Sequence, residues 1–155
     1  KMMREQTFAD ISISALVSTA QVGRASFYRN FTDKEDVLRQ ENDRLTAQWK
    51  QSYDALEHTA PNELLVSLLD FYKERSDFYL ALYQAGLSGI VLQTLLEQSE
   101  ITPEMPNAMA YLKSSIAYML YGWVVEWMKR GMQESGTELL KMFQTAPHSK
   151  INSNC

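Results

Sequence analysis

Apolar side chains recur at three- and four-residue spacing along most of the chain, the period of an amphipathic helix. A period of two shows only at Ile11 and Ile13, too short a span for a strand. The pattern predicts an all-α protein. Residues 1–6 read as the end of a helix and 7–10 as a connector. Ser12 stands where an N-cap belongs, ahead of a short helix carrying Ile13, Leu16 and Val17. Residues 20–23 read as a tight turn, and a second short helix follows over about 24–30, with Phe27 and Phe31 turned inward. Thr32 or Asp33 caps a third, long helix reaching about residue 57. Glu35 and Asp36 fall in its first turn, where the helix dipole favours acids, and Leu38, Leu45, Trp49, Tyr53 and Leu56 trace one face.

The remainder continues the helical period. Pro61 suits the first turn of a helix whose stripe is Leu64, Leu65, Leu68, Leu69 and Tyr72. Ser76 and Asp77 restart a segment through Phe78, Tyr79, Leu82 and Tyr83, stopping near Gly86 and Gly89. Residues 90–98 form another short helix, and Pro103 and Pro106 bracket a loop. The longest helix covers about 107–133. Between 116 and 128 it is apolar on nearly every side, so other helices or a second subunit must surround it. A last helix over 137–144 carries Leu139, Leu140 and Phe143, and 147–155 is a polar tail expected to be flexible.

Composition adds that 45% of the 155 residues are hydrophobic, enough for a core without cross-links. The one cysteine, Cys155, rules out a disulfide within the chain and fits a reducing compartment, so a cytoplasmic location is expected. No apolar run approaches the ~18 residues of a membrane span. The net charge of −4 argues weakly against a nucleic-acid binder until the chain is divided. Residues 1–34 hold five basic and three acidic side chains, and the rest hold ten basic and sixteen acidic. Only the first segment can face a phosphate backbone without repulsion.

The informative stretch is ISISALVSTAQVGRASFYRNFTDKEDVL, from Ile11 to Leu38. Two short helices joined by a tight turn, the second rich in donors, suit a major-groove reader. Arg24 and Arg29 offer bidentate donors to guanine, and the small Ala25 permits close approach to base edges. Gly23, Ser26 and Asn30 complete the candidate set on that helix. Ser12, Tyr28 and Lys34 are candidate phosphate contacts, Lys34 beside a helix N-terminus that itself favours anions.

These residues resemble the DNA-binding signature of the tetracycline-repressor (TetR) family of transcriptional regulators. Ile11, Ala20, Val22, Tyr28, Phe31, Lys34, Glu35 and Leu38 match it, and Ser12, Ile13, Leu16, Ser26, Phe27 and Val37 are conservative matches. The chain departs from it at Gln21, where the turn has Gly, and at Gly23, where the recognition helix opens on Ser. The family's first helix is cut short, and the chain opens on Lys1, so residues upstream are expected. The resemblance implies a three-helix helix-turn-helix head over 1–36, with its first helix truncated, and a helical effector-binding and dimerisation body over 37–146. It implies a homodimer on a palindromic double-stranded operator, acting as a repressor controlled by a small molecule of unknown identity. A pocket of Trp49, Tyr53, Tyr72, Tyr79, Tyr83, Tyr111, Tyr118 and Met119 is expected, as is a dimer interface of Trp123, Trp127, Met128, Leu140 and Phe143. An alternative is a helical interaction module that acts as a co-regulator without an effector of its own.

Nothing suggests catalysis. His58 and His148 stand alone, with no partner at metal-ligand spacing, and no nucleophile elbow, Walker loop or dinucleotide fingerprint occurs. No metal, cofactor or membrane is expected.

Overall fold

The computed structural model describes residues 2–57 and 62–145, and every regular element in it is helical. The expected helix start at Pro61, both histidines, and the 147–155 tail lie outside the described residues. Two 3-10 turns, Met2–Arg4 and Phe8–Asp10, precede eight α-helices: α1 Ile13–Thr19, α2 Arg24–Asn30, α3 Lys34–Asp54, α4 Glu63–Glu74, α5 Ser76–Gln84, α6 Gly89–Gln98, α7 Asn107–Lys129 and α8 Gly136–Thr145. The N-terminus thus differs from expectation. Met2–Arg4 is a 3-10 turn where a helix end is expected, and the expected connector at 7–10 holds a second, Phe8–Asp10.

The helix starts follow local chemistry. The Ser12 hydroxyl accepts from the Ala15 amide at 3.1 Å. Of the two candidates before α3, Asp33 is the cap, accepting from the Asp36 amide at 2.7 Å. Ser135 and Glu138 form a reciprocal box at the start of α8. The Ser135 amide donates to the Glu138 carboxylate at 2.8 Å, and the Glu138 amide donates to the Ser135 hydroxyl at 3.2 Å. The ends are equally specific. α1, α5 and α7 each close with the paired backbone bonds of a left-handed stop, in which Val22 donates to Val17, Leu87 to Leu82 and Met132 to Trp127. Gly86 and Gly131 take the left-handed position in the last two, at φ 73° and 80°, whereas α1 places Gln21 there at φ 55°.

The core lies in the body. Leu69, Tyr72, Tyr79, Leu82, Val91, Val124, Trp127, Met128 and Met132 are almost wholly buried. α4 runs through the middle, packing on α3, α5 and α8, while α7 packs on α5 and α6 and α6 reaches back to α3. Gly136 lets α8 begin directly against α4. A methyl group there would lie 2.6 Å from Asp70 Oδ1 and 2.9 Å from Val66 O, and the Gly136 amide donates to Asp70 Oδ1 at 2.8 Å. Lys73 on α4 holds the loop after α7 by donating to the carbonyls of Met132 and Gln133. Among the described residues no single helix is long and apolar enough to cross a membrane.

Candidate functional site

The head is built around Ile11 and Phe27, both buried, with Phe31 tilted against Phe27 at 5.4 Å. With Phe27 directed inward, helical geometry turns Arg24, Ala25, Tyr28 and Arg29 onto one outward face. All four are exposed. The Arg24 guanidinium sits 5.9 Å from the centre of the Tyr28 ring, so the two form one donor-rich ledge. Ser26 and Asn30 fall on the flank instead. Ser26 is half-buried, and the Asn30 amide folds back to donate to the Ser26 carbonyl at 2.8 Å. Gly23 caps α2 in extended backbone with no side-chain bond, and a Cβ added there would meet nothing within 4 Å.

Lys34 corrects one expectation. Rather than projecting towards a phosphate, its ammonium donates to the carbonyls of Phe8 (2.6 Å), Ala9 (2.9 Å) and Ile11 (3.0 Å). It also lies 4.6 Å from the Phe8 ring centre. An ammonium has three protons, and all three are taken. Lys34 therefore ties the segment before α1 to the start of α3. The end of α2 is tied to α3 as well: Gln40 donates to the Asn30 carbonyl at 2.9 Å, and the Thr32 amide donates to Asp36 at 2.9 Å.

In the body, the eight residues expected to line a pocket divide into three groups. Trp49, Tyr53 and Tyr72 line a cavity of about 210 Å³ between α3, α4, α6 and α7. Tyr79 is fully buried core, and Tyr83 packs against that core. Burial holds the phenols of Tyr72 and Tyr79 protonated, well above the usual range. Tyr111, Tyr118 and Met119 are 69%, 55% and 47% exposed, on the side of α7 away from the cavity. The five residues expected at an interface divide as well. Trp127 and Met128 are 2% exposed and belong to the core. Trp123 stacks on Phe143 at 3.4 Å, joining α7 to α8 within the chain, with Leu140 half-buried nearby on α8. The outward face of α7 carries Tyr111, Leu112, Ser115, Tyr118, Met119 and Gly122.

Several cavity residues escaped the sequence reading. Thr46 and Thr94 line its inner wall at 3% and 4% exposure, and Leu68, Ala117 and Leu120 close it. Thr94 Oγ1 accepts from Asn42 Nδ2 at 2.8 Å and donates to Asp43 Oδ1 at 3.1 Å, joining α6 to α3. The signal lay on α3, where Asn42 and Thr46 interrupt the apolar series of Leu38, Leu45 and Trp49 on its inward face. A wider groove of about 1050 Å³ runs along the other side of Trp49, lined by Glu57, Asp70, Glu74 and Arg75, and lies open to solvent.

Residues 1–40 match the family model described as bacterial regulatory proteins, tetR family. No curated protein sequence matches the chain significantly. Among solved structures, Lin0861 from Listeria innocua is similar over 92% of this chain and 80% of its own, with a TM-score of 0.74 and 17% identity, a likeness of fold. The helix-turn-helix described above falls inside the matched segment, so this all-helical chain opens on a segment similar to the DNA-binding head of the tetR-family regulators.

Proposed function

We propose that the chain is a repressor that binds a palindromic operator as a homodimer in the cytoplasm and releases it when a small molecule enters the body; binding, not catalysis, is its activity. The observation that carries this reading is the mechanical continuity between head and body. The exposed Arg24, Tyr28 and Arg29 sit on a helix tied at its end to α3, and α3 forms one wall of the internal cavity. A ligand that alters α3 therefore alters where the donors of α2 point. The apolar outward face of α7 supports the dimer. Four large apolar side chains there, Tyr111, Leu112, Tyr118 and Met119, are about half exposed or more, with Met142 of α8 exposed as well. Patches of that kind in a globular protein mark association surfaces.

Operator binding tests the head. With a fluorescent fragment spanning the gene's own promoter, saturable binding at two protomers per site is expected against scrambled competitor. Arg24→Ala or Arg29→Ala should weaken it by ~1–3 kcal/mol where the guanidinium reads a base. Unchanged affinity in both variants would remove α2 as the reading element.

A further inference from the structure

The two exposed arginines of α2 differ in what holds them. The Arg24 guanidinium lies 5.9 Å from the centre of the Tyr28 ring, four residues on and so on the same side of the helix. That ring is itself fixed. Tyr28 meets Phe27 at right angles, with planes at 88° and centres 5.4 Å apart. Phe27 is in turn buried, with Phe31 tilted against it. A line of contacts therefore runs from the core of the head through Phe27 and Tyr28 to the Arg24 fork. Arg29 is exposed, and among the described residues no ring or carboxylate lies against it. The Tyr28 ring remains half exposed, so the pair stands on the surface of the head and not inside it.

Ordering a long side chain at an interface costs rotamer freedom, and a side chain already carried by a ring has less to lose. Guanidinium stacks on an aromatic face and keeps its planar fork of N–H donors for a partner. Such a fork bonds O6 and N7 of guanine as a pair. Arg24 is also the first residue of α2, and in a helix-turn-helix the leading residues of the second helix meet the base edges. Building on the reading of α2 as the DNA-binding element, we infer that Arg24 reads a guanine in each half-site and that the ring of Tyr28, not its hydroxyl, positions it for that contact. Tyr28 is a positioning residue, acting on the base through Arg24. Any bond from its hydroxyl to a phosphate adds the same affinity to every sequence, whereas the ring acts at one base pair. Arg29 supplies charge that is not tied to that guanine.

The probe is a pool of duplexes with a randomised core, selected on the full chain and sequenced. The preference for G·C over A·T at each selected position is then measured on single duplexes by fluorescence anisotropy. The parent chain is expected to select a guanine in each half-site, preferred roughly 5- to 150-fold. Arg24→Lys keeps the charge but not the fork and should abolish that preference, whereas Arg29→Lys should leave it. Tyr28→Leu should cut the preference about two- to fivefold, the worth of an exposed contact between cation and ring, and Tyr28→Phe should keep it. On duplexes lacking that guanine, Tyr28→Leu should bind as Tyr28→Phe does, which a damaged fold would not allow. Three results would overturn the inference: a guanine preference untouched in Tyr28→Leu, one lost as fully in Tyr28→Phe, or one that follows Arg29 instead of Arg24. In each of these α2 still reads DNA, and only the role given to Tyr28 and Arg24 falls. If the parent chain selects no common sequence, the operator reading and this inference fall together.

Discussion

Gln21 holds the left-handed position that ends α1, at φ 55°, where the comparable stops of α5 and α7 use glycine. A side chain there brings Cβ against the following carbonyl, a cost of ~1–2 kcal/mol that glycine avoids, partly offset by glycine's greater freedom when unfolded. Gln21→Gly is therefore expected to stabilise the chain by roughly 0.5–1 kcal/mol, read as a rise of ~2–3 °C in Tm. No rise would mean that the turn is not strained. Lys34 is the second residue whose role is set by geometry rather than type. Removing its ammonium takes a donor from three carbonyls, of which only that of Phe8 keeps another, the Ile11 amide, so Lys34→Met should lower stability by ~1–2 kcal/mol. Hydrogen exchange should report the loss, with faster exchange confined first to the segment before α1. The sequence is silent on the partners of Lys34, because they lie more than twenty residues away.

At the scale of elements, what was legible and what was not divide along the same line. The caps at Ser12 and the position of α2 were readable because capping is settled within four residues. The faces of α7 were not. A helix apolar all round gives no period from which to choose a side, so nothing in the sequence separates the exposed Tyr118 from the buried Trp127. Nor was the close seat of α8 on α4 visible, since Gly136 looks like an ordinary spacer until Asp70 and Val66 are placed beside it. The Ser135–Glu138 box at that seat carries a pH dependence. The Ser135 amide and then its hydroxyl hold the Glu138 carboxyl below its ordinary 4.5. A depressed carboxyl stabilises the fold fully above the ordinary value and loses that contribution as pH falls through the lowered one. Acidification below about pH 4.5 should therefore loosen α8, seen as a change in Trp123 fluorescence as its stack on Phe143 opens. Glu138→Gln should remove that step; persistence of the step in the variant would assign it elsewhere.

For the whole molecule, the proposed function turns the basic head to DNA and the apolar side of α7 to a second copy. Met119→Glu or Tyr118→Asp places charge on an exposed surface where the isolated chain loses little. In a dimer the same charge would be buried against its symmetry mate, costing several-fold more than at a free surface. Analytical ultracentrifugation is expected to show monomers for either variant at concentrations where the parent chain is dimeric, with operator affinity falling in parallel. Dimers of unchanged stability would move the interface away from α7.

In the proposed function α3 is a lever between cavity and head. Thr46 stands twelve residues beyond Lys34, about 18 Å along the helix axis at the usual rise. Because Gln40 and Asp36 bind the end of α2 to α3, the reading helix rides on this lever arm without play. A swing of ~10° about Thr46 carries the Lys34 end some 3 Å, close to the 3.4 Å rise of one base pair. In a two-fold pair the arms swing in opposite senses, so the gap between reading helices changes by nearly two base-pair steps. A swing of that size would put both heads out of step with the grooves.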